Sequence, residues 1–164
     1  MKRGTFRKQS YEEKIEKLTA KRVNSFGEVK PRKVVKKVAK RPKTKSLAKW
    51  KKELDAIFSK YIRQRDQGQC FTCPKKDDPK NMQNGHFVPR QYLAVRYDER
   101  NCNCQCYACN MLYGGQGATY AIRLAQKYGQ SVVEELESQR WVTTKLDVNW
   151  YKEQIAKYTA LIHT

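Results

Sequence analysis

The chain has 164 residues, room for one domain with a modest core and too few for two ordinary ones. Lys and Arg number 35 against 16 acidic residues, a net charge of +19, which points to a polyanionic partner, nucleic acid ahead of an anionic membrane surface. No apolar run approaches bilayer length and the opening MKRGTFRKQSYEEK lacks a secretory segment, so the expected location is a reducing cytoplasm, where six cysteines read as metal ligands and core residues rather than a disulfide framework.

The charge is uneven along the chain. Residues 1–52 hold 20 Lys/Arg and 4 acidic residues, whereas residues 53–164 hold 15 and 12. Residues 1–45 therefore read as a basic arm on a nearly balanced domain. A short amphipathic helix is expected at 11–22, with Tyr11, Ile15 and Leu18 on one side. Residues 23–47 contain Pro31, Pro42 and many lysines but few large apolar groups. They cannot bury enough surface to offset the entropy of ordering, and disorder is expected. Lys33, Lys36, Lys37, Lys40 and Arg41 are the arm's candidate DNA contacts. They would release counterions without reading sequence. A solvated, solubilising tail is the bland alternative.

From Ser46 the pattern becomes helical. Leu47, Trp50, Leu54, Ile57, Phe58, Tyr61 and Ile62 recur at three- and four-residue spacing, with Ser46 as the expected N-cap and Gly68 just past the end. Two C-x2-C pairs follow, Cys70/Cys73 and Cys106/Cys109, separated by 32 residues. Each two-residue gap lets one tight turn aim both thiolates at a single ion, and two such turns complete the S4 shell that structural zinc prefers. Four buried reduced cysteines are the alternative. Between the pairs, a strand is expected at 85–88 around Gly85, His86 and Phe87, then a loop over 89–100, then a strand or turn leading to Cys106. A helix is expected to begin near Cys109. Cys102 and Cys104 share one strand face and read as core. After the break at Gly114, Gly115 and Gly117, Tyr120, Ile122, Leu124, Ala125 and Tyr128 mark a helix ending near Gly129. Ser131 is the expected cap of a second helix with Val132, Val133 and Leu136. Asp147 is the expected cap of a third, with Trp150, Tyr151, Ile155, Tyr158, Leu161 and Ile162 inward. The organisation is an arm at 1–45, a core domain at 46–140 and a C-terminal helix at 141–164 for packing or dimerisation.

The order Cys-x2-Cys, Gly-His, Asn, Cys-x2-Cys-Asn resembles the zinc-knuckle branch of the HNH nucleases. More narrowly, the helix ending IRQRD, Gly85-His86-Phe87, the run RYDERN and QCYACN resemble the phage NinG (Rap) recombination proteins over roughly residues 47–140. The resemblance implies an α+β chain: a small ββα-metal (HNH) zinc-knuckle core flanked by helices, with the basic arm in front. It also implies a structure-specific endonuclease for branched recombination intermediates such as Holliday junctions and D-loops.

Phosphodiester hydrolysis needs a base for water, a cation for the phosphate, and cationic positioning. His86 suits the base role and Asn110 can offer an amide oxygen to Mg²⁺ or Mn²⁺. The resemblance makes Asn101 the middle Asn, bracing the loop. Arg90, Arg96 and Arg100 are candidate phosphate contacts. Their bland readings are turn residues and surface charges. Many HNH enzymes carry a metal ligand just before the base, where this chain has Gly85, so the cation would rest on Asn110, waters and phosphate, with Gln83 acting through water. A DNA partner, a homodimer for paired nicks and, for a phage-encoded chain, the host cytoplasm are expected. The alternatives are a non-catalytic zinc module that binds DNA or RNA, and a homing or restriction nuclease that reads duplex sequence.

Overall fold

The computed structural model describes residue 27 and residues 45–162. The expected arm helix, the arm cations Lys33, Lys36, Lys37, Lys40 and Arg41, and His163 lie outside the described residues. Among the described residues no helix is long and apolar enough to cross a membrane.

Helix α1 spans Leu47–Arg65 and buries Leu54, Phe58 and Ile62, one residue per turn on one stripe. Leu47 lies on the same stripe, two turns before Leu54, and is exposed because it opens the helix. Ser46 caps the helix with its carbonyl, which accepts from the Lys49 and Trp50 N–H groups, and its hydroxyl makes no capping bond. The helix ends through Asp66, Gln67 and Gly68. Gly68 has φ +67°, and a Cβ there would lie 1.8 Å from the Asp77 carbonyl oxygen, so only glycine fits this close turn.

Strands β1 (Gln83–His86) and β2 (Cys102–Gln105) pair antiparallel, with His86 opposite Cys102 and Gln83 opposite Gln105. The strand expected at 85–88 thus lies two residues earlier. Past Phe87, whose N–H still donates to the Asn101 carbonyl at 3.0 Å, the pairing gives way to side-chain bonding, because Asn101 Oδ1 takes the Val88 N–H and Pro89 has none to give. The outer edge of β2 is also satisfied. Arg65 Nη2 donates to the Cys102 carbonyl at 2.9 Å, the Cys104 N–H donates to Asp66 Oδ2 at 2.7 Å, and the Phe71 N–H donates to the Cys104 carbonyl at 2.7 Å. The end of α1 therefore takes the place of a third strand.

The helix expected near Cys109 is broken. A π-helical turn, Ala108–Leu112, is followed by a 3-10 turn at Gly114–Gln116, and α2 runs over Gly117–Tyr128. Gly115, at φ +81°, makes the kink. Helix α3, Gln130–Ser138, starts one residue before Ser131, so Ser131 lies inside it and Gly129 occupies the cap position. Helix α4 covers Val148–Ile162, and Asp147 Oδ1 accepts from the Trp150 N–H at 2.8 Å, the expected cap. Leu161 and Ile122 were expected on apolar faces and are exposed.

One apolar cluster joins Leu54, Phe58 and Ile62 of α1 to Tyr151 and Tyr158 of α4, with Tyr97 and Cys102. Phe58 meets Tyr97 and Tyr158 edge-on, at 5.6 and 4.9 Å between ring centres. A second cluster packs Tyr120, Leu124, Val133 and Leu136 against Val88 and Val95 of the connecting loop. Asp66→Ala would leave the buried Cys104 N–H unpaired. We expect a loss of about 1–3 kcal/mol, read from the urea unfolding midpoint, with secondary structure unchanged.

Candidate metal centre and adjoining cleft

Cys70, Cys73, Cys106 and Cys109 come together although the two pairs are far apart in sequence, and their sulfur atoms all lie within 4.8 Å of one another. The first pair sits on the turn after α1, held by the Cys70 N–H bond to the Lys75 carbonyl. The second sits where β2 runs into the π-helical turn. The Cys106 N–H points at Cys70 Sγ (3.3 Å) and the Cys109 N–H at Cys106 Sγ (3.5 Å). Burial pushes the Cys70 thiol up, but the Cys106 N–H and the bonds from Thr72 outweigh it and bring it down to about 6. Burial pushes Cys109 up to about 12, with neighbouring thiols adding to the rise. Crowded thiols of this kind ionise together only around a cation, and the four form a cluster able to hold a metal ion such as zinc. Cys102 and Cys104 are fully buried and stand outside this set, in the apolar packing.

Beside the cluster an open cleft of about 600 Å³ is lined by His86, Asn110, Gln83, Asn84, Asp55, Arg63, Arg90 and Arg96, among others. His86 comes from the end of β1 and Asn110 from the π-helical turn after the last cysteine. Burial lowers the His86 imidazole to about 4, against a bond to the Arg96 backbone that raises it, while the charges of Arg96 and Arg90 depress it further. The ring is therefore neutral at pH 7. Asn110 Nδ2 donates to Gln83 Oε1 at 2.6 Å, and Oδ1, the atom able to ligate a hard cation, has no hydrogen-bond partner among the described residues. Gln83 thus touches Asn110 directly.

Gly85 is explained by its neighbours. A Cβ there would lie 2.0 Å from Gln105 Oε1. Strand alternation puts residue 85 on the face opposite His86, and it does not line the cleft. A side chain at 85 would run into Gln105 rather than reach a cation beside His86.

Asn101 is fully buried and does not line the cleft. Its Oδ1 accepts from the Val88 N–H at 2.7 Å, and its Nδ2 donates to the Val88 and Val95 carbonyls, both at 3.0 Å. It ties the two ends of the connecting loop together. The three expected phosphate-contacting arginines divide. Arg90 is exposed on the cleft and has no ion pair among the described residues. Arg96 is buried, with Nη2 and Nε on the Asp55 carboxylate at 2.6 and 2.9 Å. Arg100 pairs with Asp98 and Glu135, at 2.8 and 2.9 Å. Arg96 and Arg100 are thus both paired with carboxylates, which sets them apart from Arg90. Asp55, Arg63 and the bracing role of Gln83 escaped the sequence reading. Asp55 and Arg63 lie on the polar side of α1, where helical spacing marks only the buried stripe, and their partners are distant in sequence.

The NinG family profile, described as "Bacteriophage Lambda NinG protein", matches residues 2–164. The chain belongs to the NinG family. Similar relatives are the Protein ninG of Escherichia phage 933W and that of Salmonella phage P22. The first is 29% identical over 106 residues, 63% of this chain and 50% of the relative. The second is 29% identical over 115 residues, 66% and 54%. The Protein ninG of Escherichia phage lambda is 28% identical over 106 residues, 63% and 50%. The chain spans about half the length of the NinG relatives it matches. No solved structure matches it.

Two outcomes are expected. Asn101→Ala strands the Val88 N–H in the interior and should cost about 1–3 kcal/mol in thermal or urea unfolding. Gly85→Asp should destabilise the fold by about 1–3 kcal/mol through the clash with Gln105, and should not raise divalent-cation affinity in calorimetric titration.

Proposed function

We propose that this NinG-family chain is a metal-dependent endonuclease of the HNH type that hydrolyses phosphodiesters in branched DNA. The observation that carries the reading is that neutral His86 and the free oxygen of Asn110 line one cleft with Arg63 and Arg90, which no carboxylate pairs among the described residues. The antiparallel strands followed by a helical turn, pinned at both ends by the cysteine cluster, fit a ββα-metal core. On this reading zinc is structural and stays out of the chemistry.

His86 takes a proton from water as the oxygen attacks phosphorus, and the bond from phosphorus to the leaving oxygen breaks. The Arg96 backbone holds the imidazole and Asp55 fixes Arg96, so the base is positioned before substrate arrives. Gln83 turns the Asn110 oxygen outward. Mg²⁺ or Mn²⁺, held by Asn110 and water, would neutralise the charge that develops on the phosphate. A DNA partner, a homodimer for paired nicks and a place in the host cytoplasm belong to the same proposal.

The test is cleavage of a panel of junction, flap and linear DNAs with Mg²⁺ or Mn²⁺. Wild type should nick branched substrates, and His86→Ala should lose at least about a hundredfold in rate with its zinc content intact. Equal cutting by His86→Ala would remove the role given to that residue. Tight, salt-sensitive binding without cutting would favour a non-catalytic zinc module, and cutting of a single linear sequence would favour a homing or restriction nuclease. The lowered imidazole also sets a pH dependence. The base works deprotonated, so the acid limb of kcat/KM should fall well below the usual histidine value of 6.5, toward 4. Full activity at pH 6 is expected, and an acid limb centred at 6.5 would count against burial of the base in the free enzyme.

A further inference from the structure

Arg63, the first arginine of IRQRD, lines the cleft, yet nothing in the sequence gives it a task of its own. It lies in the last turn of α1, one turn beyond Ser59. Its Nε donates to the Ser59 carbonyl at 3.0 Å. Its Nη1 donates to the carbonyls of Pro79, Lys80 and Met82 at 2.9, 3.2 and 3.3 Å. All four acceptors are neutral. The guanidinium is therefore held rigidly while its charge stays uncompensated, and Nη2 has no partner among the described residues. Arg65 bonds Asp66, Arg96 bonds Asp55, and Arg100 bonds Asp98 and Glu135. Arg63 differs from all three in having carbonyls alone around it.

A fixed cation facing an open cleft, with donors to spare, suits a phosphate oxygen better than any other common group. A guanidinium already locked by its own backbone bonds loses little freedom on gripping an anion. We propose that Arg63 is a preformed phosphate contact that seats the nucleic-acid backbone in the His86 cleft. The proposal rests on the reading of that cleft as a phosphodiester site, and it adds a residue to it.

Binding is measured in a His86→Ala background of the full chain, on one junction and one duplex, across a salt series. One lost phosphate contact lowers the slope of log K against log salt by about 0.9, which from a 1 M reference amounts to about eightfold weaker binding at 0.1 M salt. Arg63→Gln should show this loss and Arg63→Lys should largely retain the slope. Ser59→Glu provides a second route, because it places a carboxylate one helical turn from Arg63 and neutralises it without removing its carbonyl bonds. It too should lower the slope by about 0.9 with metal content unchanged. Should the Arg63 variants fail to fold, Ser59→Glu decides alone. Unchanged slopes in Arg63→Gln and Ser59→Glu would overturn the proposal. So would equal weakening by Lys and Gln with Ser59→Glu silent, since Arg63 would then be only a cross-link between α1 and residues 79–82. If wild type cuts nothing while the slopes fall as stated, the phosphate contact stands and only the nuclease reading fails.

Discussion

A sheet of two four-residue strands cannot hold its own shape in water, and everything around this hairpin is arranged to supply what it lacks. Its open edge would leave the Cys102 and Cys104 backbone groups buried and unpaired. Arg65, Asp66 and the Phe71 N–H meet them at 2.7–2.9 Å. Its far end is held by Asn101 and its near end by the cysteine cluster. The helix that provides the edge clamp also carries Leu54, Phe58 and Ile62 into the aromatic core with α4. Edge pairing and core packing are thus fixed by one element, and the strand that carries His86 inherits the rigidity of both.

The cleft's electrostatics follow from that scaffold. Asp55 pairs with Arg96 and accepts from the Tyr97 hydroxyl at 2.7 Å. Arg63 and Arg90 remain as net positive charge beside a neutral imidazole. Burial depresses the histidine in the free protein, and the charges of Arg96 and Arg90 add to that. A bound polyanion would offset that charge and bring the ring's affinity for protons back up; on the proposed nuclease reading, the base would strengthen as substrate binds.

The cysteine cluster was legible in the sequence because a two-residue gap leaves little geometric choice and the two pairs needed only to meet. The α1 stripe and the Asp147 cap were legible because both depend on residues within a turn of each other. Ser131 and the strand at 85–88 were misplaced by one or two residues, where the deciding partners were Gly129, Pro89 and Asn101. Arg96 and Arg100 looked equivalent to Arg90 in sequence. Only the approach of Asp55, from another element, and of Asp98 and Glu135 separated them.

By itself the sequence determined the mixed helix and strand class, the four-cysteine cluster and the family. These rest on local periodicity, on ligand spacing and on order along the chain. Tertiary structure decided which cations stay unpaired among the described residues, what a side chain at position 85 would meet, and that Gln83 bonds Asn110. Each of these depends on a contact between residues at least twenty positions apart, and charge neutralisation and steric closure act through space with no trace in local pattern.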